Sequence, residues 1–248
     1  MDSFRPMNDA VSSAGPGQRL RNAVRTTHPK QAVCAAAVVG ILAAADGRPA
    51  RELLMAAAAV LVVQLSLGIS NDLCDQQHDY RAQTPGKPIA GGQVPAASAG
   101  YWMIVLVLLA VPLSAYNGVE SAIALLATLP IGWIHNRWLH RTAFSFVGWT
   151  LTFALIPAFL SYGTWSGSGS DQAPTWAVTG AAAAVGFCVH FVTTLGDLVA
   201  DNKSGARTLP LRIALRIGAP RLLLVTIVIT AAAVAGLVVA GLTVGLRQ

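Results

Sequence analysis

Asn71-Asp72-Leu73-Cys74-Asp75-Gln76-Gln77-His78-Asp79 places three carboxylates in nine residues, where a long apolar run gives way to a polar loop. A helix continued through them puts Asp72, Asp75 and Asp79 at i, i+3 and i+7, on one face. Like charges that close repel unless a cation is shared. Oxygen donors with no paired Cys or His favour a hard ion, and Mg2+ takes one or two carboxylates and fills its shell from phosphate oxygens. The stretch therefore points to a phosphate-bearing substrate.

A second stretch, Asp197-Leu198-Val199-Ala200-Asp201-Asn202-Lys203-Ser204-Gly205-Ala206-Arg207, has carboxylates at i and i+4 with two cations close behind. Five of the eleven acidic residues lie in these two stretches, each just after a long apolar segment. Solvated surface charge is not usually concentrated in this way.

The chain has 248 residues, of which 54% are hydrophobic and 11% charged. A soluble average has about a quarter charged, so the composition is that of an integral membrane protein. Apolar segments fall at about 31–45, 53–70, 96–115, 119–134, 143–162, 174–195 and 220–246, which predicts an all-α, polytopic bundle of about seven transmembrane helices. Several are shorter than the ~20 residues of a lipid-exposed span and rich in small residues, as helices packed closely in a bundle are. Residues 1–30 carry Arg5, Arg19, Arg21, Arg25 and Lys30 around a Gly15-Pro16-Gly17 break and read as a flexible basic cytoplasmic tail; 31–248 read as the helical membrane domain. The run ending in Ala43-Ala44-Ala45 resembles a signal-peptide core, but the thirty residues before it favour a retained first helix. Cys34, Cys74 and Cys188 show no paired spacing, so neither a disulfide framework nor a zinc site is expected.

With the N-terminus inside, fourteen of the seventeen Lys and Arg residues fall in inner segments, and only Arg48, Arg51 and Arg247 fall outside. Because short cationic loops resist translocation, both aspartate stretches are expected on the cytoplasmic side of the cell membrane. The net charge of +6 then reflects topology and contact with the lipid bilayer, with no call for nucleic acid. Trp165 and Trp176, flanking the 163–175 loop, read as interfacial belt residues.

Asn71-Asp72-x-x-Asp75-x-x-x-Asp79 followed by Lys87-Pro88-Ile89-Ala90-Gly91-Gly92, together with Asp197-x-x-x-Asp201-x-x-x-Gly205-x-Arg207-Thr208-Leu209-Pro210, resembles the UbiA superfamily of intramembrane prenyltransferases. The resemblance spans roughly Pro29 to Arg221. It implies a helical bundle that binds an isoprenyl diphosphate through Mg2+ and transfers the prenyl group to an aromatic or other lipophilic acceptor. Asp72, Asp75, Asp79, Asp197 and Asp201 would then hold the metal, with Asn71 as a neutral ligand or hydrogen-bond donor. Lys87, Lys203 and Arg207 would contact the diphosphate, and Asn136 with His140 stand where many relatives have Tyr-x-x-x-Lys. Trp133, Trp149, Phe153 and Phe187 are candidates to line the prenyl pocket, and His190 is a candidate to help deprotonate an acceptor.

Two features depart from the pattern. Gly86-Lys87-Pro88 stands where many members place an Arg before the Pro. The family bundle has nine helices, so a seven-helix version is expected to need a second subunit to close its pocket. Two rival readings keep their place beside the transferase. A terpene cyclase of the same type would ionise the same diphosphate and close the cation on itself, and a transporter or non-catalytic prenyl-lipid binding protein would use the aspartates for binding alone.

Overall fold

A computed structural model describes residues 15–163 and 172–247. The first part of the basic tail, with Arg5, and the 164–171 stretch, with Trp165 and Ser168, lie outside the described residues. Among the described residues the chain is helical, with an isolated bridge between Pro174 and Arg247 in place of any strand. It divides into two units, one ending at Ser114 and the other beginning at Ala115.

The first unit holds α1 (Pro16–Arg25), α2 (Pro29–Ala45), α3 (Ala50–Ala82) and α4 (Ala96–Ala115). Helix α1 and the turn after it occupy the stretch expected to be a flexible tail. Pro16 and Pro29 each open a helix at the first turn, where a missing N–H costs nothing. Between them Thr26 and Thr27 turn their hydroxyls back onto Ala23 O and Val24 O, and the two helices meet at a 56° bend. Helices α2 and α3 pack through small side chains such as Ala36, Ala43, Ala56 and Ala59, all buried. In lipid there is little hydrophobic drive between helices, so close backbone approach across such faces supplies the packing. Helix α4 joins them through Ala99, which packs with Ile69 of α3 and Ile89 of the α3–α4 loop.

The second unit contains α5 (Val119–Leu126), α6 (Thr128–Ile134), α7 (Phe146–Tyr162), α8 (Trp176–Thr194), α9 (Leu198–Lys203), α10 (Leu209–Ile217) and α11 (Ala219–Thr243). Gly186 of α8 fits where a Cβ would lie 2.6 Å from both Phe153 Cβ and Trp149 O of α7. That distance is the reason these two helices can touch. The ends are tied as well: Thr175 N donates to Leu246 O and its hydroxyl to Gly245 O, while Arg247 Nε donates to Ser161 O.

All seven apolar segments are helical, but among the described residues four helices are long and apolar enough to cross a membrane, and five if α1 and α2 count as one bent span. The expected 119–134 span is broken into α5 and α6. Pro130 lacks the N–H that would bond Leu126 O, and the break falls there. Helix α7, at 17 residues, also falls short of a full span.

Candidate active site

Helix α3 runs without interruption through the first aspartate stretch, so the helical spacing of Asp72, Asp75 and Asp79 is realised. Asp72 and Asp79 are buried, Asn71 and Asp75 half-buried. After α3 ends at Ala82, with Gln83 as its C-cap, Gly86 takes a φ of +81°, which a residue without Cβ adopts freely. The chain then winds through successive turns, in which Gly91 N donates to Lys87 O and both Gln93 N and Val94 N donate to Pro88 O. Burial of Pro88 and Ile89 pins this coil to α3.

The pinning delivers Lys87 to the carboxylates. Its Nζ donates to Asp72 Oδ1 at 2.6 Å and approaches Asp79 Oδ2 at 3.6 Å. The ordinary effect of burial is to pull an ammonium pKa down, but the hydrogen bond and charge of Asp72, with the charges of Asp79 and Asp75, outweigh it and hold the Lys87 pKa above the usual lysine value. The favourable pairing of this ammonium is therefore intact at neutral pH and is lost only as pH climbs through that raised value. A residue outside both aspartate stretches completes the group: His28, at the α1–α2 bend, donates from Nε2 to the same Asp72 Oδ1 at 2.8 Å. Sequence reasoning did not single out His28, although its place before Pro29 at a helix start marks it as a boundary residue.

The second stretch is not one continuous helix. Helix α8 ends at Thr194, a 3-10 turn covers Leu195–Asp197, and α9 follows as a separate short helix. Asp197 is exposed at that joint and Asp201 is half-buried on α9, with the Thr208 hydroxyl 3.4 Å from its Oδ2. Gly205, at φ +72°, turns the chain so that Thr208 caps α10 by accepting from Leu211 N. Phe191, Leu198, Leu211 and Leu222 form the buried cluster beneath. Lys203 and Arg207 are exposed. Arg207 lines a cavity of about 440 Å³ with Asn202, Gly205, Arg212 and Leu215.

Asn136 is buried in a π-helical turn, His135–Leu139, a rare geometry that is frequent at functional sites. The next segment grips the second stretch: Arg141 Nη2 donates to Ser204 O at 3.0 Å, and Arg207 N donates to Arg141 O at 2.9 Å. His190 is buried with Nε2 2.9 Å from Ser145 Oγ, so its ring is engaged inside the unit. Of the aromatic candidates, Trp149 and Phe153 lie 6.4 Å apart, and Phe187 contacts Phe146 and Phe191 at 5.3 and 4.9 Å. Trp133 is exposed.

Among the described residues no three His, Cys, Asp or Glu side chains converge as in a closed metal site. The donor set nevertheless fits an ion that takes only one or two protein carboxylates and the rest of its shell from phosphate and water. Asp79 Oδ2 supports that fit, because it is buried without a hydrogen bond. Lys87 Nζ at 3.6 Å offsets its charge without forming a hydrogen bond, which leaves the oxygen able to accept a further cation.

Comparison with known proteins agrees with the helical fold. No curated protein sequence matches the chain. A structure of digeranylgeranylglyceryl phosphate synthase is similar at 16% identity and a TM-score of 0.59, covering 85% of this chain and 76% of that one. Two structures of a UbiA homologue from Archaeoglobus fulgidus, one bound to GPP and Mg2+ and one to DMAPP and Mg2+, are similar at 18% identity with TM-scores of 0.56 and 0.55, each covering 94% of this chain and 74% of the other. At these identities the likeness speaks for the fold. The model of the UbiA prenyltransferase family matches residues 33–247, nearly the whole described chain, and this protein therefore belongs to that family.

Proposed function

We propose that the chain is an Mg2+-dependent intramembrane prenyltransferase that moves a prenyl group from an isoprenyl diphosphate to a lipophilic acceptor. The observation that carries this reading is the Lys87 ammonium held between Asp72 and Asp79, with Asp79 Oδ2 buried and without a hydrogen bond. A fixed cation next to a buried carboxylate oxygen that carries no hydrogen bond suits a metal-bound diphosphate. The A. fulgidus homologue, whose structures contain prenyl diphosphates with Mg2+, supports the same ligand class.

In the reaction the bond between the allylic carbon and the diphosphate oxygen breaks, and the electron pair leaves with the diphosphate. A new bond forms from that carbon to the acceptor, which gives up a proton. Mg2+ would supply neutralisation of the leaving charge, held by Asp75 and Asp79 of the first stretch and Asp197 and Asp201 of the second. Lys87, Lys203 and Arg207 would bind phosphate oxygens, with Asn71 and Asn136 as neutral polar groups toward the substrate. Fixed positive groups act most where negative charge develops, so these residues lower the barrier as the bond lengthens. Aromatic faces such as Trp149 and Phe153 would shield and stabilise the allylic cation. The two stretches are taken to lie on the cytoplasmic side, where the diphosphate is available.

The test is turnover by purified protein in nanodiscs supplied with a prenyl diphosphate, Mg2+ and a panel of lipophilic acceptors. Asp75→Ala and Asp197→Ala should each lower the rate at least about a hundredfold, as loss of a transition-state charge partner does, while the protein still inserts and folds. Near-normal rates in either variant, or in the presence of a chelator, would overturn the metal assignment. Incubation without acceptor separates the cyclase, since only that activity yields cyclic hydrocarbon.

A further inference from the structure

Asp72 Oδ1 is already occupied by two donors. Lys87 Nζ lies 2.6 Å from it and His28 Nε2 2.8 Å, and the Asp72 side chain is 2% exposed. A divalent ion on that oxygen would have to displace both donors or sit in contact with an ammonium, and like charges at such range repel strongly. Asp79 differs: its Oδ2 has no hydrogen bond and only the longer 3.6 Å approach of Lys87. The two buried carboxylates of the first stretch are thus in unlike states on one helix.

The arm that brings His28 to Asp72 is built with little slack. His28 sits at φ 50° and ψ 54°, a left-handed conformation uncommon for a residue with a Cβ. Its neighbour Thr27 rests on Gly68 of α3, where an added Cβ would lie 2.5 Å from the Thr27 carbonyl oxygen. Strained backbone persists where the surroundings over-determine it, and here a glycine seat, a buried Thr26 and the Pro29 helix start do so together.

From this geometry we propose that His28 and Asp72 form a positioning pair for Lys87: Asp72 is an anchor rather than a metal ligand, and His28 holds its carboxylate in the orientation that aims the ammonium at the diphosphate. The inference rests on the prenyl-diphosphate reading above and refines the roles within it. Lys87 is the group that touches substrate. Asp72 acts through Lys87, and His28 acts through Asp72.

The experiment uses the full chain in nanodiscs, with Mn2+ counted by electron paramagnetic resonance at saturating geranyl S-thiolodiphosphate, an unreactive analogue, and with the affinity of that analogue measured separately. His28→Ala and Asp72→Asn should keep the wild-type number of bound Mn2+ ions, whereas Asp75→Asn should lose Mn2+. Analogue affinity should fall about tenfold or more in both positioning variants, the scale expected for a group that orients a ligand contact. His28→Gln, which keeps an N–H donor, should recover most of that loss, which separates positioning from mere support of the fold. The His28→Ala/Asp72→Asn double variant should bind no more weakly than Asp72→Asn alone, since residues in one chain of contacts do not act additively. Loss of Mn2+ in Asp72→Asn to the extent seen in Asp75→Asn would make Asp72 a ligand and overturn the proposal. Unchanged analogue affinity in His28→Ala would overturn the role of His28. If wild type itself bound neither Mn2+ nor analogue, the prenyl-diphosphate reading would fall, and that result is distinct from both others.

Discussion

Two glycines of the first unit differ in how much room their neighbours leave. A Cβ at Gly68 would meet the Thr27 carbonyl oxygen at 2.5 Å, and backbone cannot swing aside as a side-chain tip can. Gly68→Ala should therefore destabilise by about 1–3 kcal/mol, the range for overpacking a filled contact, and should also displace His28 from Asp72. A Cβ at Gly40 would meet Ala57 Cβ of α3 at 3.6 Å, an ordinary van der Waals contact between the two helices. Gly40→Ala should then be neutral or stabilising by up to about 1 kcal/mol, because glycine loses more backbone freedom than alanine on folding. Thermal unfolding in detergent measures both. A lower midpoint for Gly68→Ala beside an unchanged or higher one for Gly40→Ala is the expected pair, and equal shifts would contradict it. Neither result could be guessed from the residues alone, since both glycines lie inside apolar helical sequence and only the distance to a neighbour tells them apart.

At the scale of elements, the first aspartate stretch is legible because its spacing matches the helix period and α3 carries that period from Ala50 to Ala82. The apolar runs are legible for the same reason of length and composition. The second stretch reads as helical by the same i, i+4 logic, yet a 3-10 turn and a fresh helix start divide it, and the hold on its far end comes from a loop over sixty residues away in the chain. Local pattern cannot report such a hold. His28 was hidden for the same reason, lying 44 positions from its partner. The loop contact can be tested directly. Arg141→Ala removes the donor to Ser204 O while leaving the backbone bond from Arg207 N to Arg141 O in place. Loss of a charged donor to a carbonyl costs on the order of 1–3 kcal/mol, and here it should appear as local opening rather than global unfolding. Hydrogen exchange should quicken at the amides of Ser204, Ala206 and Arg207, with helix α7 unaffected. Uniform protection in the variant would mean that the α9–α10 turn holds itself.

For the whole molecule, the distribution of Lys and Arg is the strongest statement about orientation, and it rests on the chain rather than on any single contact. Fourteen of the seventeen cationic side chains lie in segments on one side of the proposed topology. Each short cationic loop resists translocation, so the bias accumulates along the chain and an inverted arrangement would carry most of the positive charge across. The prediction concerns two positions. Gln83 is exposed just after α3, in the loop that carries Lys87, and Ser168 belongs to the 164–171 stretch, for which only the sequence speaks. Cys34 and Cys74 are exposed and would compete for a thiol reagent, while Cys188 is buried, so all three must first be replaced, with turnover checked afterwards. A cysteine introduced at Ser168 should react with an impermeant maleimide on intact cells, and one at Gln83 should react only after the membrane is opened. Reaction at Gln83 in intact cells would put Lys87 and its carboxylates on the outer face, away from cytoplasmic diphosphates, and the proposed substrate would have to be reconsidered along with the orientation.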